Sequence, residues 1–160
     1  MTVVRASVRP TRRGSADNFT GEVFQDEVLV GQAPSRMRAT VVSFTPGART
    51  AWHAHPVGQT LYCLTGVGRI CIGKGSRPQA IYPGDTVMIP PDTMHWHGAA
   101  PDRLFSHLAM SENGEQGQGT SWGEQVNEAN TRRNPRPTDG MVQPRVPAAR
   151  SSAISAGSSH

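Results

Sequence analysis

From Met37 to Gly47 the chain reads MRATVVSFTPG, with β-branched residues in alternation and a Pro46-Gly47 stop. Alternation of period two predicts a strand with one buried face. Thr40, Val42 and Phe44 fall on one face, Val41 and Ser43 on the other. The same reading predicts strands at Ala51–His55, Gln59–Gly66, Gly68–Gly73, Thr86–Pro91, Met94–Ala100 and Arg103–Ser111, with one more ending at the Pro83-Gly84 turn. Residues 21–31 predict a short strand or two, and Gly66 and Gly68 predict a hairpin between the strands on either side. Sustained helical periodicity is absent. Roughly eight or nine short strands with Gly/Pro turns indicate an antiparallel sandwich or small barrel. Beyond Gly114 the chain turns polar. TSWGEQVNEAN predicts a short strand or one helical turn, with Ser121 and Glu124 at capping-box spacing and Trp122 laid on the barrel.

Composition supports this picture. The chain has 160 residues, with 17 glycines and 13 prolines. That length suggests one domain able to bury a core without disulfides. Cys63 and Cys71 sit in apolar runs and read as buried thiols of a reducing cytoplasm. No run reaches the apolar length of a membrane span, and the N-terminus lacks the apolar core of a signal peptide, so a cytoplasmic location is expected.

The net charge of +4 divides unevenly. Residues 14–130 carry seven basic and eleven acidic residues, −4; residues 1–13 and 131–160 carry nine arginines and one acid, +8. The ends read as a flexible basic arm (1–13) and a disordered Arg/Pro/Ser-rich tail (131–160) around a domain at 14–130, because the tail has too few apolar residues to offset its ordering entropy. Without a helix-turn-helix, zinc-finger or aromatic-basic pattern, nucleic acid is not an expected partner.

The chemistry sits in two stretches. GARTAWHAHPVGQTLYCLTG (47–66) places His53 and His55 two apart, on one face of an extended chain, with Gln59 four residues on. Imidazole is the commonest metal ligand at neutral pH. Residues 84–97 add His95 and, two residues later, His97. His107 shares a strand face with Phe105, Ala109 and Ser111. A pocket with a metal and further imidazoles combines a Lewis acid with candidate bases.

The frame of Gly47, His53, His55, Gln59 and Gly66, then Gly84, Pro90 and His95, closely resembles the paired motifs of the cupin superfamily. The family more often has Glu at position 59, Gly at position 92 and Asn at position 99, where this chain has Gln59, Asp92 and Ala99. The resemblance covers roughly residues 20–112 and implies an all-β cupin, a double-stranded β-helix or jelly-roll barrel. His53, His55, Gln59 and His95 can then occupy one side of a metal and leave a position open for substrate. Because Gln59 is neutral, the divalent charge is uncompensated by these ligands, which strengthens polarisation of a bound oxygen. Three nitrogens and an oxygen suit Mn, Fe, Ni or Zn.

Within the cupins, ADNFTG, PGARTAWHAHPVGQT, PGDTVMIPPDTMHWHGAAP and SHLAM resemble small bacterial single-domain members that include the manganese-dependent, (R)-selective hydroxynitrile (mandelonitrile) lyases. The resemblance implies His53, His55, Gln59 and His95 as ligands of a divalent ion, manganese first, and His107, assisted by His97, beside the reacting hydroxyl. It implies a pocket lined at Thr40 and Val42; the strand faces extend this to Phe44, Phe105, Ala109 and Ser111. The expected activity is cleavage of a cyanohydrin, a small-molecule substrate, to aldehyde and cyanide. A metal-dependent dioxygenase and a non-catalytic small-molecule-binding cupin are the alternatives. Edge strands such as residues 21–31 lead us to expect a homo-oligomer, dimer or tetramer.

Overall fold

The computed structural model describes residues 3–131. In chain order the strands are β1 (Thr11–Arg13), β2 (Phe19–Thr20), β3 (Val23–Val30), β4 (Met37–Phe44), β5 (Arg49–Thr50), β6 (His53–Ala54) and β7 (Gln59–Gly66). There follow β8 (Gly68–Ile72), β9 (Gln79–Ile81), β10 (Thr86–Ile89), β11 (His95–Ala99), β12 (Phe105–Glu112) and β13 (Ser121–Trp122), then a four-residue helix α1 (Glu128–Thr131). One sheet runs β1-β3-β4-β12-β7-β10. The other runs β13-β6-β11-β5-β2, with β8 on β11 and β9 on β8. All pairings are antiparallel, and the two sheets form the jelly-roll barrel of an all-β fold.

Alternation decides what enters the barrel. On β4, Val42 and Phe44 are buried, and the Phe44 ring stacks on Phe105 at 6.2 Å between centroids. With Val23, Leu61, Ile70, Ile81 and Ile89 they make the main core. Each such large side chain contributes about 1.5–3 kcal/mol by leaving water. A second, smaller core of Trp52, Cys71, Trp96 and Val126 lies elsewhere in the fold. Cys63 and Cys71 are buried free thiols. No helix among the described residues is long and apolar enough to cross a membrane.

Three local expectations change. The arm at 1–13 is not irregular throughout, because its Thr11–Arg13 pairs with Phe24–Asp26. Residues 21–31 form one eight-residue strand with an irregularity between Glu27 and Leu29. The strands flanking Gly66 and Gly68 are not a hairpin: β7 pairs with β10 and β12, while β8 pairs with β9 and β11 in the other sheet. The two glycines let the chain turn this corner. Gly66 has φ +77°, and a Cβ there would collide with the Leu104 carbonyl; a Cβ on Gly68 would meet the Phe105 ring at 2.5 Å. The tail at 132–160 lies outside the described residues.

Candidate metal centre and cavity

Strands β6, β11 and β12 bring His53, His95, His97 and His107 together, and His55 directly follows β6. Register pairs His95 with His53, and Trp122 with the other side of His53. The His53 and His95 ring centroids are 4.1 Å apart; the His55 ring is 5.3 Å from His53 and 5.8 Å from His95. One ring nitrogen each of His53, His95 and His97 lies within 4.8 Å of the others. Gln59 joins them through Oε1, 3.1 Å from His95 Nε2.

The outer nitrogens fix the tautomers. His53 Nδ1 donates to the Ala51 carbonyl at 3.0 Å, and His95 Nδ1 to the Thr93 carbonyl at 2.8 Å. A carbonyl only accepts, so the ring proton sits on Nδ1 and the lone pair on Nε2. This is the support that metal-bound imidazoles ordinarily have. His55 Nδ1 has Thr120 Oγ1 at 3.4 Å. Among the described residues, the buried atoms His55 Nε2, His97 Nε2 and His107 Nδ1 have no hydrogen-bond partner. Buried polar atoms left unpaired are costly, and a cation held by His55 Nε2 relieves that cost at this atom.

Electrostatics agrees with this. Burial holds His55 down to about 4 and His107 to about 3. Burial also keeps His53 and His97 well below the ordinary value and lowers His95; mutual repulsion, from His95 on His53 and from His107 on His97, adds to it. The imidazoles are therefore neutral at pH 7 and can ligate without first losing a proton. The donor set, neutral nitrogens and one amide oxygen, fits a divalent transition metal.

The cluster opens on a cavity of about 260 Å³. Of the residues expected there, His53, His55, Gln59, His97, Thr40, Val42, Ala109 and Ser111 line it. The other four do not. His95 and His107 are fully buried behind the lining, and Phe44 and Phe105 lie beneath it in the core. Depth explains Phe44 and Phe105: along β4 and β12 the paired positions run Phe44/Phe105, Val42/His107, Thr40/Ala109 and Arg38/Ser111, and lining residues appear from the second pair onward. His107 Nε2 instead meets His97 Nδ1 at 3.1 Å, and the Phe44 ring lies 5.6 Å from His107 and 5.9 Å from His97.

Several lining residues escaped the sequence reading: Phe19, Gln25, Arg38, Thr50, Asn113, Gly119, Thr120 and Trp122. Arg38 was legible, being two residues before Thr40 on the same face. Thr120 and Trp122 carry no such signal, although Trp122 does lie on the barrel, 4.9 Å from the His53 ring and 5.7 Å from Phe19. Residues after β13 hold this segment in place. Trp52 N–H donates to the Glu124 carbonyl at 3.0 Å, and the Arg49 guanidinium donates to the Val126 carbonyl at 2.8 Å.

Residues 40–106 match the cupin domain family. The chain is also 40% identical over 133 residues to the (R)-mandelonitrile lyase of Granulicella tundricola, covering 83% of this chain and 100% of that relative. This chain belongs to the cupins. A cupin-like protein of Thermotoga maritima, 36% identical, superposes with a TM-score of 0.70 over 75% of this cupin and 90% of that chain. A cupin-2 domain protein of Rhodospirillum rubrum has a TM-score of 0.61 at 18% identity, covering 81% of this cupin and 82% of that chain, and so shares the fold. The three-histidine cluster lies where the two cupin motifs meet, His53 in the first and His95 and His97 in the second.

Proposed function

We propose that this cupin is a metal-dependent lyase that splits a small cyanohydrin into an aldehyde and hydrogen cyanide. The observation that carries the reading is the 40% identity to the Granulicella (R)-mandelonitrile lyase over that relative's whole length. The neutral histidine cluster at the cavity floor supports it. His53, His55, Gln59 and His95 would hold the ion, manganese by resemblance. When bound, a divalent ion lowers the pKa of a hydroxyl next to it and so eases its deprotonation.

The chain's own groups supply the rest. His97 lines the cavity and its Nε2 has no hydrogen-bond partner among the described residues, so we assign it the proton of the substrate hydroxyl. For Nε2 to accept, Nδ1 must carry the ring proton and donate to His107 Nε2 at 3.1 Å. His107 then fixes the tautomer and shares the charge of the imidazolium, which makes it a positioning residue behind the base. This exchanges the roles expected from the sequence, where His107 is beside the hydroxyl. As the hydroxyl oxygen forms the aldehyde carbonyl, the carbon–carbon bond breaks and its electron pair leaves on cyanide. His97 then returns its proton to cyanide, so atoms and charge balance. Thr40, Val42 and Ala109 form the wall against the remainder of the substrate.

The test is release of benzaldehyde from (R)-mandelonitrile by manganese-loaded protein, with dissolved oxygen followed in the same cell. Release above the buffer rate without oxygen uptake is the expected result. Absence of release overturns the lyase reading, and substrate-dependent oxygen uptake reassigns the site to an oxygenase.

A further inference from the structure

We infer that the natural substrate of this site carries a carboxylate, received by Arg38 at the cavity rim while another oxygen of the same molecule occupies the metal. The inference rests on the metal reading above and narrows it to a substrate class: a small hydroxy or oxo acid.

The first observation is register. Three adjacent strands, β7, β12 and β4, set Gln59, Ser111 and Arg38 in one row. Neighbouring strands are about 4.8 Å apart, so the row spans about 10 Å from Gln59 to Arg38. All three residues line the cavity. Gln59 stands at the metal end, and the long Arg38 side chain covers much of the remaining gap. A compact acid can therefore touch both ends at once.

The second observation is charge. Apart from the neutral histidines, Arg38 is the one ionisable residue among the described residues that line the cavity. No carboxylate of the described residues lines it, and none is in the proposed ligand set. A divalent ion at the floor and a guanidinium at the rim thus leave the cavity positive at both ends. A neutral cyanohydrin uses only the floor. A small organic anion with a hydroxyl or carbonyl near its carboxylate uses both.

Glu27 does not cancel this arrangement. Its Oε2 accepts from Arg38 Nη2 at 3.2 Å, but Glu27 is not part of the lining, and both side chains are close to half exposed. Ion pairs this exposed are weakly held. The guanidinium has five N–H donors in a fixed fork, so one edge remains for a bidentate carboxylate.

The probes are (R)-mandelate and (R)-mandelamide, one skeleton with and without the charge, titrated into manganese-loaded protein by calorimetry. Mandelate is expected to bind more tightly to the wild type. Arg38→Gln is expected to weaken mandelate about tenfold, the scale of a lost charge-assisted hydrogen bond, and mandelamide by less than about twofold. Arg38→Lys should restore part of the difference. Manganese content and melting temperature of each variant establish that the fold and metal site persist. Equal loss for both probes in Arg38→Gln, or no loss for either, overturns the inference. Benzaldehyde release from mandelonitrile, measured in parallel, separates it from the lyase reading. Arg38-dependent mandelate binding without benzaldehyde release keeps this inference and removes that reading. Benzaldehyde release together with mandelate binding that does not depend on Arg38 does the reverse, and a protein that takes up no manganese overturns both.

Discussion

His95 Nε2 faces Gln59 Oε1 at 3.1 Å, while Nδ1 of the same ring donates to Thr93 at 2.8 Å. With the proton on Nδ1, the two facing atoms are both acceptors. Either a cation lies between them or the Gln59 amide turns so that its NH2 donates to His95. The two arrangements respond differently to one substitution. With a cation as common partner, Gln59→Leu lowers manganese affinity at least about tenfold, the loss that even an outer-shell partner produces. Gln59→Glu adds a negative ligand and tightens binding. Chelator competition reads both variants. Unchanged affinity in Gln59→Leu removes Gln59 from the ligand set.

The His97–His107 pair allows a separate test. If His97 takes the proton and is not itself a ligand, His97→Ala lowers kcat by about 10²–10⁴, the range for a lost general base. Manganese content should then match the wild type. If His97 is the third nitrogen of the trio with His53 and His95, the same variant loses metal along with activity. His107→Gln, which can still meet His97 Nδ1, should lose less rate than His97→Ala. Steady-state rates together with metal analysis on the same samples decide between the roles.

The motif residues and the alternation of β4 are local patterns, so Thr40, Val42, Gln59 and the histidines were legible in the chain. Depth was not. Period two says which face His107 and Phe44 occupy, but not that His97 stands between His107 and the cavity. The corner at Gly66 was misjudged because strand partners are chosen across the chain. Two runs joined by a short glycine link look like a hairpin until β10 and β12 compete for β7. Thr120 was missed because it directly precedes a two-residue strand, which has no period to read. Its place is set by pairing of Ser121 with Ala54 and Trp122 with His53.

The Gly66 corner predicts a large stability loss on adding one methyl group. A Cβ there meets the Leu104 carbonyl, which is backbone and is also bonded to Val67 N–H at 3.0 Å. The left-handed φ of +77° adds its own penalty for an L side chain. Gly66→Ala should cost about 2–5 kcal/mol, overpacking plus conformation. Gly75, with φ +87° and open space around its Cβ position, is the control and should show only the conformational part. Urea denaturation of the two variants makes the comparison. Equal losses would mean that the collision is relieved by movement of β12.

Thr120 lies outside the family match at 40–106, yet its hydroxyl is the hydrogen-bond partner of His55 Nδ1. Thr120→Val keeps the shape and removes the partner. Manganese affinity is expected to fall about tenfold, as for other supporting groups of metal-bound histidines, and Thr120→Ser should largely restore it. The melting temperature of the metal-free protein should barely move, because the bond at 3.4 Å is long. A matching fall in metal-free stability would instead make Thr120 a structural strut.

The five histidines also predict how stability depends on pH. All have folded pKa values below the ordinary 6.5: His55 about 4, His107 about 3, and His53, His95 and His97 lowered. On unfolding they return toward 6.5, so between that value and the folded ones the unfolded chain binds more protons. Stability therefore rises with pH across this window. It is fully present above about pH 7 and is lost as pH falls below 6.5. At pH 5.5 His55 and His107, both well below that pH when folded, each cost about 1 kcal/mol, and His53, His95 and His97 act in the same direction. Metal-free protein should keep a constant melting temperature from pH 8 to 7 and lose it steeply below pH 6.5. Saturating manganese should raise the melting temperature near pH 7 and steepen the loss below it, because protons and metal compete for the same nitrogens. A flat profile down to pH 5 in the metal-free protein would mean that these imidazoles are solvated rather than buried.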